Sequence, residues 1–431
     1  MLSPADNGLL TKVGPGTPMG ELMRRYWLPF IYSSELEADG PPQRVRLLGE
    51  DLIAYRDTSG RVGLMAAACP HRGASMFFGR NEEDGLRCVY HGWKFDVTGA
   101  CVDMPNEPAE SNFKHKIGAT AYAAAEQGEV VWAYMGPRQQ DPPGLPQFEW
   151  ALVPPEQRHF RWKAVRDCNW LQAIEGDVDT SHLYFLHGRL HEAGSPAHGV
   201  YHRDKSPVLQ VTETPIGLLY AARRDEGIEG YYWRTAQHLM PCFTLIPADP
   251  DGLTPCVMWI PIDDEHTLTW QLAWHPTVPL NDRELKRPGG VGPLAPQQGV
   301  AYPEWRTVAT VENGFLIDRE EQRRHSFTGI PTIPLQDTAV TVSMGAINDR
   351  TKEHLGTTDA MIIATRRTLL RAAKALRDRG QEPPGAEDPS LFRTRSIAIV
   401  LPRDVDWLEA TRDWHFARGG LPAGIGGGAI M

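Results

Sequence analysis

The chain has 431 residues, 41% of them apolar and 23% charged, a length beyond what one hydrophobic core usually serves, so two domains are expected. Its 44 basic and 54 acidic residues give a formal charge of −10, which argues against a nucleic-acid partner but leaves a small anionic ligand open, because one buried arginine can hold a carboxylate whatever the net charge. No basic segment leads into an apolar core at the N-terminus and no apolar run approaches membrane-spanning length, so a cytoplasmic protein without a membrane partner is expected.

The first element reads as a helix between Leu9 and Trp27, with Thr17 as cap, Pro18 at the first helical position, and Met19, Leu22, Met23 and Tyr26 at helical spacing. From about Arg44 to Tyr134 short strands take over. Val45 to Tyr55 reads as two strands around Gly49-Glu50-Asp51, and Gly128 to Met135 as a closing strand. Inside this stretch lie two cysteine-histidine pairs, Cys69-Pro70-His71 and Cys88-Val89-Tyr90-His91. Structural zinc sites more often pair cysteines as C-x2-C, whereas here each arm offers one sulfur and one nitrogen. That split suits a [2Fe-2S] cluster with two thiolates on one iron and two imidazoles on the other, a one-electron carrier of raised potential. Zinc is the alternative, and the pairs should sit on two loops of a small all-β domain. Cys101, Cys168, Cys242 and Cys256 are scattered and read as reduced, buried thiols.

Gly136 to Pro146 is a proline- and glycine-rich connector. It divides the chain into a helical segment (1–40), an all-β domain (41–140) and a second domain (141–431). In the second domain, Asp167 to about Leu186 reads as helix, Val208 to Trp274 alternates strands with turns, and a helix is plausible over Pro303 to Glu321. The clearest helix begins near Thr358-Asp359 and stops at Gly380. The fold class is α+β, with an all-β N-terminal domain followed by a mixed domain of antiparallel sheet and helices.

A second constellation lies in Asn169 to His187. His182 and His187 are five apart, which on a regular helix turns them about 140° from one another, so they can share a metal only if the helix ends or bulges between them. Asp179, three residues before His182, falls on its helical face and could fix that ring through its second nitrogen. Two histidines and a carboxylate with open positions suit non-haem iron, while buried structural histidines are the plain alternative. Glu175, Asp177, Asp318 and Asp337 are rival carboxylates.

The text around both sites, together with Gly16-Thr-Pro-Met-Gly-Glu-Leu-Met, Asn169-Trp-Leu-Gln, Ser326-Phe-Thr-Gly-Ile and Gln336-Asp-Thr-Ala-Val-Thr, resembles the oxygenase component of the Rieske non-haem iron family, phthalate 4,5-dioxygenase branch, from Asn7 to about Leu376. The resemblance implies a [2Fe-2S] Rieske cluster on Cys69, His71, Cys88 and His91, mononuclear Fe(II) on His182, His187 and Asp337, and Asp179 bridging the cluster of one subunit to the iron of the next. It implies an NAD(P)H-dependent reductase as donor, O2 as co-substrate, and a homotrimer or stack of two trimers. An aromatic carboxylate of the phthalate or chlorobenzoate type would be dihydroxylated, or a methoxylated one O-demethylated. Val342 departs from the branch, where a glutamate is expected. An electron-transfer or zinc-stabilised binding protein is the reading from a different class. No G-x-G-x-x-G follows a strand, so the reductase is a separate protein. Arg203, Arg223, Arg224 and Arg234 are candidates to clamp the carboxylate, with Arg234 in Tyr231-Tyr-Trp-Arg-Thr preferred, and Tyr184, Phe185, Trp259 and Trp270 are candidates to line the cavity.

Overall fold

The computed structural model describes residues 1–108, 110–190, 204–247, 252–286, 290–297 and 302–419. Arg203 and the glycine-rich end of the chain lie outside the described residues.

The N-terminal helix is two helices, Pro4–Thr11 and Pro18–Met23. Thr17 caps the second as its sequence implies, accepting from the Gly20 amide at 3.2 Å, but Gly14-Pro15-Gly16, with Gly16 at φ +76°, separates it from the first. Ten strands follow: β1 (Trp27–Tyr32), β2 (Gln43–Leu47), β3 (Glu50–Arg56), β4 (Val62–Ala66), β5 (Arg80–Glu82), β6 (Gly85–Arg87), β7 (Lys94–Phe95), β8 (Cys101–Asp103), β9 (Ala121–Gln127) and β10 (Val130–Tyr134). They form an antiparallel six-stranded sheet in the order β1-β10-β9-β4-β3-β2 and a small four-stranded sheet β5-β6-β7-β8. Ile53, Tyr55, Met65, Leu86, Trp93 and Phe95 bury a core of their own, and Cys69 and Cys88 are part of it.

The second region is built on eight antiparallel strands: β11 (Arg158–Arg166), β12 (Val208–Thr214), β13 (Gly217–Asp225), β14 (Tyr231–Leu239), β15 (Phe243–Leu245), β16 (Thr254–Pro261), β17 (Thr267–Trp274) and β18 (Ala398–Leu401). Their order is β11-β17-β16-β15-β14-β13-β12, with β18 also on β14. The helix Trp170–Val178 packs on β14 to β16, and the long helix Ala360–Arg379 packs on β12, β13 and the two N-terminal helices. Gly380, at φ +63°, ends that helix and donates to the carbonyls of Ala375 and Leu376, as its position in the sequence implies. No helix runs over Pro303 to Glu321: Gly314, Phe315 and Leu316 all sit at left-handed φ, which no right-handed helix can cross, and the helix here is Arg319–Arg324. All six cysteines are buried and unpaired.

One apolar core runs from the first sheet into the second, through Trp132, Phe148, Trp150 and Phe243. Lys163 on β11 reinforces the joint. Its Nζ lies 4.4, 4.6 and 4.1 Å from the ring centroids of Tyr32, Trp270 and Trp305 and pairs with Glu35. Burial pushes the ammonium down to about 8 against the pull of Glu35. Trp270 therefore belongs to this cage. The hairpin tip also crosses, Leu48 and Gly49 donating to the carbonyls of Pro261 and Ile262 at 3.1 and 2.8 Å.

Candidate metal centres

The two cysteine-histidine arms form two loops of one design. The amide of Cys69 donates to the Ala74 carbonyl and that of Gly73 back to Cys69; the amide of Cys88 donates to Trp93 and that of Gly92 back to Cys88, all at 2.8–3.0 Å. Gly73 and Gly92 turn each loop at φ +76° and +79°, where only glycine sits without strain, and a Cβ on Gly92 would come within 2.7 Å of the Pro105 ring. Both sulfurs belong to buried residues, and the imidazoles of His71 and His91 meet edge to face with centroids 4.5 Å apart. His71 stacks on Trp93 at 4.2 Å, and the Trp93 indole is pinned by its N–H to Asn106 at 2.8 Å. Nδ1 of His91 is buried without a hydrogen-bond partner among the described residues. Two buried thiols that form no disulfide, with an imidazole nitrogen lacking any proton partner, are a donor set made for metal, and its two-sulfur, two-nitrogen split fits a [2Fe-2S] cluster.

The second centre is assembled from two distant pieces of chain. The Trp170–Val178 helix starts at Asn169, whose side chain caps Leu171 and whose amide donates to the carbonyls of Thr11 and Asp264. It ends at Val178, so the single helix read as far as Leu186 is broken: Asp179 is extended, and a separate turn of helix, Leu183–Leu186, follows. His182 stands at the start of that turn and His187 just past its end, which is how a five-residue spacing places both rings at one point. Their Nε2 atoms are 3.1 Å apart, and Oδ1 of Asp337, from the helix Ile333–Ser343, lies 3.7 Å from His182 and 3.3 Å from His187. One donor atom from each of the three falls within 4.8 Å of the others. Burial opposes charge on both partners, and proximity outweighs it: the acids raise His182 and the histidines lower Asp337.

Gln336 supplies a part that spacing could not reveal. Its Nε2 donates to the Ile330 carbonyl at 3.0 Å, so Oε1 faces Nδ1 of His187 at 2.7 Å. The proton of that ring is thus held on Nδ1 and the Nε2 lone pair is free for a metal. Asp179 stands 3.7 Å from Nδ1 of His182, in ion-pairing rather than hydrogen-bonding range, because the Ser181 amide draws its carboxylate back at 2.6 Å. Of the rival carboxylates, Glu175 and Asp318 are engaged elsewhere and Asp177 is held at one oxygen. Glu175 is buried between Arg350 and Arg366, Asp318 caps the helix Arg319–Arg324, and Asp177 accepts from the Thr244 hydroxyl.

His182 and Asp337 border two spaces. One is an open, apolar cleft of about 640 Å³ rimmed by Phe185, Phe327 and Met344. The other is a cavity of about 310 Å³ against the sheet, walled by Arg166, Asp177, Tyr232, Arg234 and Trp259. Arg234 presents a buried Nη1 without a hydrogen-bond partner among the described residues. The other described candidates do not wall this cavity: Arg224 is buried and donates to the carbonyls of Asp204 and Thr180, although its Nη1 too lacks a partner among the described residues, and Arg223 lies over the Tyr231 ring at 4.3 Å. Arg166, absent from the sequence-based candidates, also reaches the cavity; burial lowers it, and it donates to Thr341 at 3.2 Å. Phe185 rims the cleft and Trp259 the cavity, while Tyr184 walls neither. Val342 packs half-buried between two apolar clusters, away from the ligands.

Residues 26–119 match the Rieske [2Fe-2S] domain and residues 133–419 the family described as LigXa C-terminal domain like. The chain belongs to the Rieske non-haem iron oxygenases. It is 42% identical to the 3-chlorobenzoate-3,4-dioxygenase oxygenase subunit of Comamonas testosteroni, over 94% of this chain and 96% of that protein. It is 39% identical to the phthalate 4,5-dioxygenase oxygenase subunit of Pseudomonas putida (95% and 94%) and 34% identical to the 5,5'-dehydrodivanillate O-demethylase oxygenase subunit of a Sphingobium strain (93% and 87%). The enzyme is thus an oxygenase subunit of a multicomponent system, carrying a Rieske [2Fe-2S] cluster and a mononuclear non-haem iron and fed with electrons from outside. That removes the electron-transfer and zinc-protein readings. Among the described residues no helix is long and apolar enough to cross a membrane.

Proposed function

We propose that this oxygenase oxidises a benzoate-type aromatic carboxylate by ring dihydroxylation. The observation that carries the reading is the Nη1 of Arg234, buried, unpartnered and set in the wall of the cavity that His182, His187 and Asp337 border. A guanidinium left so exposed to a low-dielectric space is a socket for a carboxylate. In this reading Cys69, His71, Cys88 and His91 hold the cluster, and His182, His187 and Asp337 hold the iron. The cluster would supply single electrons, and an iron held by these three residues would supply dioxygen activation. The chain's own part is to fix His187 through Gln336, to keep the ring of the substrate at the metal through Arg234, and to exclude water with Trp259 and Tyr232.

Electrons are proposed to come from an NAD(P)H-dependent reductase in the cytoplasm, a compartment that suits six unpaired thiols. They would cross from the cluster of one subunit to the iron of the next in a homotrimer or a stack of two. Within one chain the partners of Asp179 are Ser181 and His182, while those of His71 and His91 are each other, Trp93 and Tyr90. Tyr90 and Val89 beside the cluster, and Phe185, Phe327 and Met344 beside the iron, leave apolar surface at both ends, which suits a closed head-to-tail ring. O-demethylation of a methoxylated aromatic acid is the second reading, favoured by the 34% identity to the dehydrodivanillate O-demethylase subunit. Turnover of benzoates, phthalates and methoxybenzoates with a surrogate reductase under 18O2, followed by mass analysis of products, tests both. A diol carrying two labelled oxygens supports the first, a phenol with loss of a methyl group the second, and no oxidation of any aromatic acid contradicts both.

A further inference from the structure

Resting on the reading of Arg234 as the carboxylate clamp, we propose that Asp177 is a second anchor of the same cavity, selecting benzoates that carry a hydroxyl or amino group over benzoates that carry a second carboxylate. Asp177 is the penultimate residue of the Trp170–Val178 helix and shares the cavity wall with Arg234. Its orientation is fixed from behind. The indole N–H of Trp259 donates to Oγ1 of Thr244 at 2.9 Å, so the one proton of that hydroxyl is directed at Oδ2 of Asp177. One carboxylate oxygen is therefore satisfied by the protein, and the residue is half-buried in the cavity wall.

A carboxylate is more than Thr244 requires, since an asparagine oxygen would accept the same bond. Among the described residues Asp177 makes no direct ion pair; the charges of Arg234 and Arg166 reach it only at longer range from the same cavity wall, so its second oxygen has no hydrogen-bond donor of its own. Burial, aided by the Asp337 charge, raises it to about 6 against the pull of Thr244 and Arg234. Ligand chemistry follows from the two signs. Arg234 takes a carboxylate, and the free oxygen of Asp177 takes a hydrogen-bond donor. A second carboxylate there would meet a like charge and leave that acceptor unpaired. The pair thereby narrows the substrate class to donor-substituted monocarboxylates.

Calorimetric binding of benzoate, the three hydroxybenzoates and phthalate to the holoenzyme tests this. At least one hydroxybenzoate should bind about tenfold or more tighter than benzoate and phthalate should bind more weakly than either, the tenfold step being the loss of one hydrogen bond to a charged acceptor. In Asp177→Ala the hydroxybenzoate-to-benzoate ratio should fall to about one, and in Thr244→Val, which frees the carboxylate without removing it, to an intermediate value. A wild-type ratio already near one, or a tenfold ratio retained in Asp177→Ala, overturns the proposal; the wild-type ratio decides it even if a variant fails to hold iron. Arg234→Gln separates the two readings: it should weaken all the benzoates together. Equal affinities with and without Arg234 would overturn the carboxylate clamp, and with it the selection argued from it.

Discussion

The two metal centres are built by opposite strategies. The cluster loops draw their four proposed ligands from 23 consecutive positions, Cys69 to His91, with each loop closed by its own backbone hydrogen bonds and glycine turn. The proposed iron site takes two residues from either end of a single helical turn and its third from a helix about 150 positions later, with Gln336 and the cap at Asn169 aligning them. A site closed by local turns tolerates distant change. A site that spans two helices inherits every shift in their packing. On this assignment electron delivery sits on a locally closed tip and oxidation on a seam between two helices, so lesions should separate the two.

The sharpest separation is His182→Ala. It should abolish oxygenase activity and mononuclear iron while the cluster's visible spectrum stays intact; bleaching of the cluster would show the two ends to be one structural unit. Next come the groups that aim the ligands. Asp179→Asn should keep both metals and slow turnover about 10–100-fold, and Gln336→Leu should weaken iron retention by a similar factor, because partners of metal ligands have effects of that size. Dialysis against a chelator with iron analysis reads the second, and an unchanged loss rate would remove Gln336 from the account.

The joint between the ends gives a smaller effect, on stability. Lys163→Met removes the counter-charge of Glu35, which keeps its bonds from the Tyr32 amide and the Trp305 indole, and should cost about 1–3 kcal/mol in denaturant unfolding. The sign with pH also follows. Because burial holds Lys163 near 8 in the fold against 10.5 when unfolded, the unfolded chain binds the extra proton between those values, so wild type gains stability as pH rises through that window. The difference between wild type and Lys163→Met should therefore move with pH there; a flat difference would mean the cage does not perturb the lysine. Smallest is Gly92→Ala, a left-handed φ plus the Pro105 contact, at about 1–2 kcal/mol, read as faster cluster loss on warming with no change at the iron.

The same contrast explains what could be read from residues alone. Cys69, His71, Cys88 and His91 were legible because their spacing is the site: both loops close within six residues. His182 and His187 were legible as a conditional, that the helix must end or bulge between them, and the short turn Leu183–Leu186 ends before His187. Asp337 was singled out by the resemblance alone, spacing leaving it one acid among several; in the fold its carboxylate meets both rings, while Glu175 and Asp318 are engaged elsewhere. Gln336 and Arg166 had no local signature, since their tasks exist only after β11, the short turn before His187 and the helix Ile333–Ser343 meet. The helix expected over Pro303 to Glu321 failed because apolar spacing there is silent about three consecutive left-handed residues.

Whether delivery and oxidation lie on different chains is tested most directly by mixing two dead enzymes. Cys88→Ser removes the cluster and His182→Ala the iron, so each alone should be inactive. Co-assembled, a subunit with an intact cluster can sit beside one with an intact iron, and Asp179 of the latter can face His71 or His91 of the former. The account predicts that substrate oxidation returns in the mixed oligomer. Mixed assemblies that form yet stay as inactive as their parents would contradict it.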